Sequence, residues 1–132
     1  MDWKLELVPV PVTDLDKARH FYAEQLGWVV DHDTRVSAEQ RIIQLTPPGS
    51  DCSIVLGVAP TPPGSIQGVH LVVDDIEAAH AALLAQGVPA GPVHHYGPEG
   101  VEEGRGGDWN SFVNFSDPDG NGWTVQERPS AG

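Results

Sequence analysis

The sequence has one cysteine and few basic residues. Cys52 alone can form neither an internal disulfide nor a cysteine-rich zinc site, and we interpret it as a small buried apolar residue. Seven Lys and Arg stand against nineteen Asp and Glu, which gives a formal charge of −12. A nucleic-acid-binding protein needs a basic surface to displace counterions from phosphate, and an anionic membrane attracts basic segments. The composition therefore predicts neither a nucleic-acid partner nor a membrane partner.

Long apolar runs are also missing. No stretch approaches the roughly 18 apolar residues of a membrane-spanning helix. The first ten residues, MDWKLELVPV, lack the basic start and apolar stretch of a secretory signal. Hydrophobic residues make up 39% of the chain and charged residues 20%, which is typical of a globular domain and not of a disordered chain. We expect a single domain over residues 1–132 and a cytoplasmic location.

An internal repeat organises the chain. An offset of 61 residues (75 − 14) places Asp14 over Asp75 and, after one deletion, Gly27 over Gly87. In each copy a Val-rich apolar run of strand length precedes the Asp, and a helix with one apolar face follows it. An Asp at this point is typical of a helix N-cap, and a Gly at the end is typical of a left-handed C-cap. The repeat therefore predicts two similar modules.

Each helix is followed by three strand-like runs, so the order β-α-β-β-β occurs twice. The predicted strands are 5–12, 28–31, 41–45 and 53–58 in the first module and 66–73, 88–96, 111–115 and 122–127 in the second. A linker with the sequence APTPPGS at 59–65 separates a first module at 3–58 from a second at 66–128. The sequence therefore predicts an α+β fold in which two βαβββ modules form one domain.

Two segments lack a regular pattern. Asp31-His32-Asp33 follows a predicted strand, and we interpret it as a solvated turn. Between His95 and Ser111 the chain reads YGPEGVEEGRGGDWN, without apolar periodicity, and loops of this length are often lids or binding loops. Trp109 near the end of this segment either stacks on a planar ligand or anchors the loop against the body of the protein. Both interpretations of Trp109 stay open.

Two segments accompany the module order, DLDKARHFYAEQLGW in the first module and FSDPDGNGWTVQE at the end of the second. In these segments and in its module order, the chain resembles the vicinal oxygen chelate superfamily. This superfamily includes glyoxalase I, bleomycin-resistance proteins and extradiol dioxygenases, and the resemblance covers nearly the whole chain. It implies paired glyoxalase-like modules that form a curved mixed sheet around a cleft for a metal or a small ligand, and it implies a homodimer. Because the superfamily contains isomerases, lyases, dioxygenases and drug-sequestering proteins, the fold does not define the reaction.

The residues at the superfamily's metal-ligand positions lack metal-binding side chains. The resemblance places these positions on the first and last strands of the modules, and three of them fall at Leu7, Gly68 and Thr124. The fourth falls within strand 53–58, where residues 53–56 (Ser-Ile-Val-Leu) include no strong ligand. Leu and Gly coordinate nothing through a side chain, and Thr replaces a carboxylate poorly. We therefore predict neither the usual metal centre nor glyoxalase I activity, and no cofactor.

A displaced divalent-metal site is the alternative. His70 shares a strand face with Gly68, and Gln126 shares one with Thr124, each about 7 Å along its strand. Together with His95 they would hold the metal of a divergent lyase, isomerase or dioxygenase. The competing interpretation is that His70 and Gln126 hydrogen-bond an organic ligand. A metal-free enzyme with His70 or His95 as the general base is also possible.

Strand alternation predicts a largely apolar ligand site with a few neutral hydrogen-bonding groups. The predicted ligand-binding residues are Leu7, Gly68, His70, His95, Trp109, Phe112, Asn114, Thr124 and Gln126. Trp123 and Val125 are predicted on the opposite, helix-packed face. Since no carboxylate is in the set, we expect a small organic partner that is apolar or aromatic and neutral or cationic. The expected function is ligand sequestration of the bleomycin-resistance type or a glyoxalase-like protein with an unassigned substrate.

Overall fold

The computed structural model, which describes residues 1–130, divides into two compact units. The first unit comprises Met1–Ile66 together with Asp117–Asn121, and the second comprises Gln67–Ser116 and the residues from Gly122 onward. Each unit has a mixed sheet; the first follows the order βαβββ and the second the same order with one additional strand, so the predicted α+β fold class is confirmed. The segment predicted as a linker, 59–65, falls inside the first unit. No helix in the described residues is long and apolar enough to cross a membrane.

The first unit contains a four-stranded sheet and one helix. Its elements are β1 (Leu7–Val10), α1 (Leu15–Arg19) continued by a π-helical segment (His20–Gln25), β2 (Val29–Arg35), β3 (Arg41–Thr46) and β4 (Ser53–Leu56). The strand order is β1-β4-β3-β2, with β1 parallel to β4 and the other pairs antiparallel. Alternate residues of these strands form the buried core with the aromatic residues of the helical segment: Val10, Phe21, Tyr22, Ile43, Leu45, Ile54 and Leu56.

The second unit repeats this arrangement with one additional strand. Its elements are β5 (Val69–Val73), α2 (Ile76–Ala85), β6 (His94–Gly97), β7 (Gly100–Glu103), β8 (Phe112–Ser116) and β9 (Gly122–Glu127). The strand order is β5-β9-β8-β6-β7, and β5 runs parallel to β9. Without β7 the order matches that of the first sheet strand for strand. The internal repeat of the sequence is therefore a repeat of the topology.

Both helices begin and end at the residues that the repeat predicts. The Asp14 carboxylate accepts the N–H of the third residue after it at 3.0 Å. The Asp75 carboxylate accepts the N–H groups of the second and third residues after it, each at 3.1 Å. Gly27 and Gly87 follow the helices with φ values of 76° and 77°. The capping chemistry therefore marks the same point in both modules.

The turn Asp117–Asn121 is held within the first unit by a buried carboxylate. One Asp117 oxygen accepts the Tyr22 hydroxyl at 2.7 Å and the Asn121 side-chain amide at 2.8 Å. The same amide donates to the carbonyl oxygen of Pro11 at 2.8 Å. Because buried polar groups must be paired, these bonds give Asp117 and Asn121 a structural role in the turn.

The segment predicted as a solvated turn, Asp31-His32-Asp33, lies in the middle of strand β2. The prediction is wrong because the polar side chains were taken as a turn signal, whereas here they are accommodated along the strand. The Asp33 carboxylate pairs with Arg41 of the neighbouring strand at 2.7 Å and also with Arg19 of the helix. The positive charges of these two Arg residues compensate the charge of the Asp33 carboxylate within the strand.

The predicted strand and loop around residues 88–110 also differ from the structure. Regular pairing begins only at His94, apart from an isolated bridge between Ala90 and Phe115. The following segment was predicted as a loop without regular structure, but β7 forms an antiparallel hairpin with β6 inside it. Its side chains are exposed, so the strand carries no apolar alternation by which the sequence would reveal it.

Candidate functional site

One face of the second sheet concentrates aromatic and neutral polar side chains. Helix α2 packs on the other side, against β8 and β9, where the buried residues are Val113, Phe115, Trp123 and Val125. We call the side opposite α2 the aromatic face, and its residues are His70, His94, Tyr96, Phe112, Asn114, Thr124 and Gln126. The alternation predicted for Phe112 and Asn114 against Trp123 and Val125 is confirmed by this burial pattern.

Phe112 is the centre of the aromatic face. The His94 ring stacks on it with 5.9 Å between centroids and an interplanar angle of 30°. Tyr96 meets it edge-on at 5.4 Å, and His70 does so at 6.5 Å. His94 is buried, Phe112 is half-buried, and the Tyr96 side chain is 56% exposed. The cluster is therefore supported from within and leaves aromatic surface accessible to solvent.

Neutral hydrogen-bonding groups form a row beside the aromatic cluster. Strand register places His70 next to Thr124 and Thr124 next to Asn114, across β5, β9 and β8. The Thr124 hydroxyl donates to the Asn114 side-chain oxygen at 3.0 Å. Strand register also places one carboxylate, Glu103 of the edge strand β7, opposite His94 on this face. The face thus combines stacking surface with neutral donors and acceptors, as organic-ligand sites do.

Gln126 connects the aromatic face to Trp109. Its side-chain amide donates to the Trp109 carbonyl oxygen at 2.7 Å. Trp109 has a φ of 59°, the one positive value among the non-glycine residues of the described chain. A bulky residue in this region of φ costs about 1–2 kcal/mol. The Trp109 side chain is nevertheless 53% exposed, so its ring gains little burial in return.

His95 points away from the aromatic face, which corrects the orientation expected for it. Neighbours on a strand point to opposite sides, and His94 occupies the side with Phe112. The His95 ring nitrogens lie 2.8 Å from the Gly104 carbonyl oxygen and 3.0 Å from the Glu102 carboxylate. These contacts tie the β6–β7 hairpin together. A ligand-binding role for His95 stays a prediction that this orientation does not favour.

Sequence reasoning missed His94 and Tyr96, which the structure brings to Phe112. The signal that would have found them is their spacing, since residues two apart on a strand share a face. This spacing is informative only when the bounds of the strand are known. The Gly- and Pro-rich sequence on either side of β6 does not indicate where the strand begins. In the structure, the pairing of His94 with Phe112 of β8 shows that these two residues lie on the same face.

Leu7, the predicted site residue of the first unit, lies on β1 beside Ser53 of β4. Near it the Ser53 hydroxyl lies 2.7 Å from the Thr46 hydroxyl, and Thr46 in turn donates to the Asp31 carboxylate. Leu7 is half-buried. It supplies apolar surface to its own sheet, next to a short chain of hydroxyl groups.

The acids with shifted pKa values have structural partners. Hydrogen bonds from Arg41 and then Arg19 lower the pKa of Asp33 from 3.8 to about 2, against the opposing effect of burial. The N–H of Ile76 and the guanidinium of Arg105 lower the pKa of Glu127, which serves the start of helix α2. None of these carboxylates belongs to the aromatic face. Their electrostatics stabilise elements of the fold and supply no acid to the candidate site.

Comparison with known proteins defines the family. A family model for the Glyoxalase/Bleomycin resistance protein/Dioxygenase superfamily matches residues 4–125. The chain belongs to this superfamily. Membership confirms the resemblance on which the fold prediction was partly built, and it leaves open which of the superfamily's activities, if any, this chain has.

Among solved structures of the superfamily fold, several resemble this chain along almost its full length. TnmS3, an antibiotic binding protein from Streptomyces sp. CB03234, is 33% identical with a TM-score of 0.76, over 97% of this chain and 98% of that one. A glyoxalase/bleomycin resistance protein from the same strain is 34% identical with a TM-score of 0.72, over 93% of this chain and 99% of that one. The uncharacterized protein YetH of Bacillus subtilis (strain 168) is 27% identical over 91% of this chain and 94% of its own length.

The superfamily's metal positions do not fit a metal in this chain. Leu7 has no donor atom, and Gly68 has no side chain. The Thr124 hydroxyl is engaged with Asn114. Among residues 1–130, no group of three or more His, Cys, Asp and Glu side chains is arranged to hold a metal ion. The side chains at these three positions therefore do not supply the donor set of the superfamily's metal centre.

Proposed function

We propose that the protein binds a small organic ligand with a planar aromatic ring on the aromatic face, without a resident metal, and sequesters it. The observation that carries this proposal is the exposed aromatic cluster centred on Phe112. Ring stacking contributes about 0.5–1.5 kcal/mol beyond the burial of apolar area. His94 fixes the Phe112 ring from one side, so the stacking surface is formed before a ligand arrives. Preformed sites of this kind bind with a smaller entropic cost.

The similarity to TnmS3 supports ligand binding as the function. That protein is described as antibiotic binding, and a third of its residues are identical to those of this chain over nearly the full length. We propose an apolar or aromatic ligand of natural-product size for this chain as well. Sequestration requires binding alone, which suits a face built mainly from aromatic and neutral polar side chains.

The charge distribution favours a neutral or cationic ligand. The formal charge of −12 repels anions over a long range, and the charged residue that strand register places on the aromatic face, Glu103 beside His94, is an acid. An anionic ligand would meet this field without a compensating Lys or Arg on the face. We therefore propose that carboxylate-bearing aromatic compounds bind less tightly than their neutral analogues.

A thermal-shift screen of aromatic antibiotics and metabolites tests the proposal. A ligand at 100 times its Kd stabilises the folded protein by about 2.7 kcal/mol, which is a clear shift in Tm. For the best compound, the Kd is then measured for wild type, Phe112→Leu and Phe115→Leu. The two substitutions are chemically identical and lie on opposite faces of β8.

We expect Phe112→Leu to weaken binding about three- to tenfold with little change in Tm. Phe115→Leu removes a buried ring that stacks on Trp123, so it lowers the Tm and leaves the Kd unchanged. Equal Kd values for wild type and Phe112→Leu would place the ligand elsewhere and contradict the proposal.

We also propose a cytoplasmic location, on the basis of the amino-acid sequence, and a homodimer, on the basis of the superfamily resemblance. Sedimentation velocity tests the second. A homodimer sediments with twice the chain mass of 14.1 kDa, and a species of single-chain mass at micromolar concentration would contradict it.

A further inference from the structure

The His70 ring has a fixed arrangement of donor and acceptor. Its Nδ1 atom lies 2.8 Å from the carbonyl oxygen of Gly68, two residues earlier in the chain. A carbonyl oxygen only accepts hydrogen bonds, so Nδ1 carries the proton and donates. In the neutral imidazole Nε2 then has no proton and presents a lone pair. The backbone therefore makes His70 a hydrogen-bond acceptor toward solvent.

Gly68 orients the carbonyl group that fixes this tautomer. Its φ of 76° lies in the left-handed region, where a side chain is strained, and its N–H donates to the Gly122 carbonyl oxygen at 3.1 Å. No atom lies within 4 Å of the position that a Cβ would occupy. The glycine is therefore explained by its backbone conformation and not by crowding. The position that the superfamily resemblance assigns to a metal ligand here determines the tautomer of the neutral His70 ring.

The neighbouring group on the same row is also an acceptor. The Thr124 hydroxyl proton is used in the bond to the Asn114 side chain, so only oxygen lone pairs remain available there. In the described part of the chain, the structure shows no partner for His70 Nε2, and the His70 side chain is exposed. The His70 ring stands edge-on to Phe112, with 6.5 Å between the centroids. His70 Nε2 and the Thr124 oxygen are thus acceptors beside the stacking surface, so a ligand group that bonds to either of them has to donate.

We propose that His70 determines ligand specificity by accepting, through Nε2, a hydrogen bond from a hydroxyl group carried by the ligand's aromatic ring. The inference rests on the proposed function, because it requires the ring to lie on Phe112. It names the ligand class more closely as a hydroxylated planar aromatic compound. A ligand without such a donor leaves the His70 nitrogen desolvated and unpaired, which costs binding free energy.

Two naphthalenes of nearly equal size test the inference. 2-Naphthol carries the hydroxyl group, and 2-methylnaphthalene has a methyl group in its place. The Kd of each is measured by fluorescence titration with the full chain, for wild type and His70→Phe. The methyl compound is intrinsically more apolar, so the informative quantity is the ratio of the two Kd values and its change between the proteins.

In His70→Phe we expect the Kd of 2-naphthol, divided by the Kd of 2-methylnaphthalene, to rise about tenfold. This change corresponds to the loss of one hydrogen bond. The Kd of 2-methylnaphthalene should stay within about twofold of wild type. His70→Gln keeps an acceptor oxygen and should restore part of the preference, which also covers the case in which His70→Phe fails to fold.

An unchanged ratio in both variants would overturn the role of His70 while leaving ring binding intact. If Phe112→Leu binds both naphthalenes as wild type does, or if wild type binds neither, the proposed function fails, and the inference fails with it. The two failures are therefore distinguishable.

Discussion

Two residues that flank strands of the second sheet have positive φ values and lie next to the candidate site. Gly68 adopts a left-handed backbone that suits glycine, whereas Trp109 adopts one that does not suit tryptophan. Strain at a bulky residue persists only where the surroundings hold it, and the amide of Gln126 holds the Trp109 carbonyl group. We propose that this strain is retained because it presents the Trp109 ring to a ligand.

Substitution of Trp109 separates the strained backbone from the ring. Trp109→Gly removes both the ring and the strain, whereas Trp109→Ala removes the ring and keeps the strain. We expect the Gly variant to have a free energy of unfolding about 1 kcal/mol higher than the Ala variant, measured by urea denaturation. Both variants should bind the ligand more weakly than wild type by the same factor. A Gly variant that is less stable than the Ala variant would show that the backbone is unstrained.

The predictability of the site varies residue by residue for a physical reason. Thr124 and Gln126 were assigned to one face because β9 alternates between apolar and polar residues. On β8 the alternation left two choices, and Phe112 with Asn114 was preferred to Val113 with Phe115 because Asn is unfavourable beneath a helix. His94 and His95 were not separable, because β6 starts inside a segment without such alternation. The conformation of Trp109 depends on a hydrogen bond from a distant strand, which no local pattern encodes. Binding by any of these residues stays a prediction.

At the scale of elements, strand β2 and helix α1 are joined by charge. Arg41 of β3 bonds Asp33 of β2 and Asp16 of the helix, and Arg19 of the helix also contacts Asp33. The pKa of Asp33 in the folded state, about 2, lies below the ordinary value of 3.8. A lowered pKa contributes stability above pH 3.8 that is lost as the pH falls toward 2. The network therefore makes part of the stability pH-dependent.

Acid unfolding of Asp33→Asn tests this network. Between pH 4 and pH 2 the wild type should lose about 1 kcal/mol more of its free energy of unfolding than the variant does. This expected difference is smaller than the pKa shift of Asp33 alone would give, because the Asp33 and Arg41 side chains are partly exposed and their interaction is screened by solvent. Urea denaturation across this range gives the two profiles. Lys17→Gln, which removes a helix cation outside the ion pairs of the described residues, should retain the wild-type slope. Parallel profiles for wild type and Asp33→Asn would contradict the assignment.

For the whole molecule, the repeat was the most informative feature of the sequence. The capping residues Asp14, Asp75, Gly27 and Gly87 recur in register, and the structure repeats the strand order with them. Local chemistry thus predicted the number, type and order of most elements. It did not predict strand β7, because an exposed polar hairpin is stabilised by pairing with a strand and not by apolar periodicity.

The net negative charge of the whole chain can be related to the positions of its acidic residues. The carboxylates with shifted pKa values stabilise elements of the fold through Arg partners and a helix N–H, and none of them lies on the aromatic face. The acid that lies on this face, Glu103, stands at its edge on β7. This distribution of charge is the basis for proposing a neutral or cationic organic ligand in place of a metal centre.

The most direct test of metal-free ligand binding is calorimetric titration of the best ligand into protein treated with a chelator and dialysed, with the metal content measured by elemental analysis. The account predicts the same Kd before and after treatment and less than stoichiometric metal in the untreated protein. Binding that disappears on chelation and returns with an added divalent metal would contradict the account.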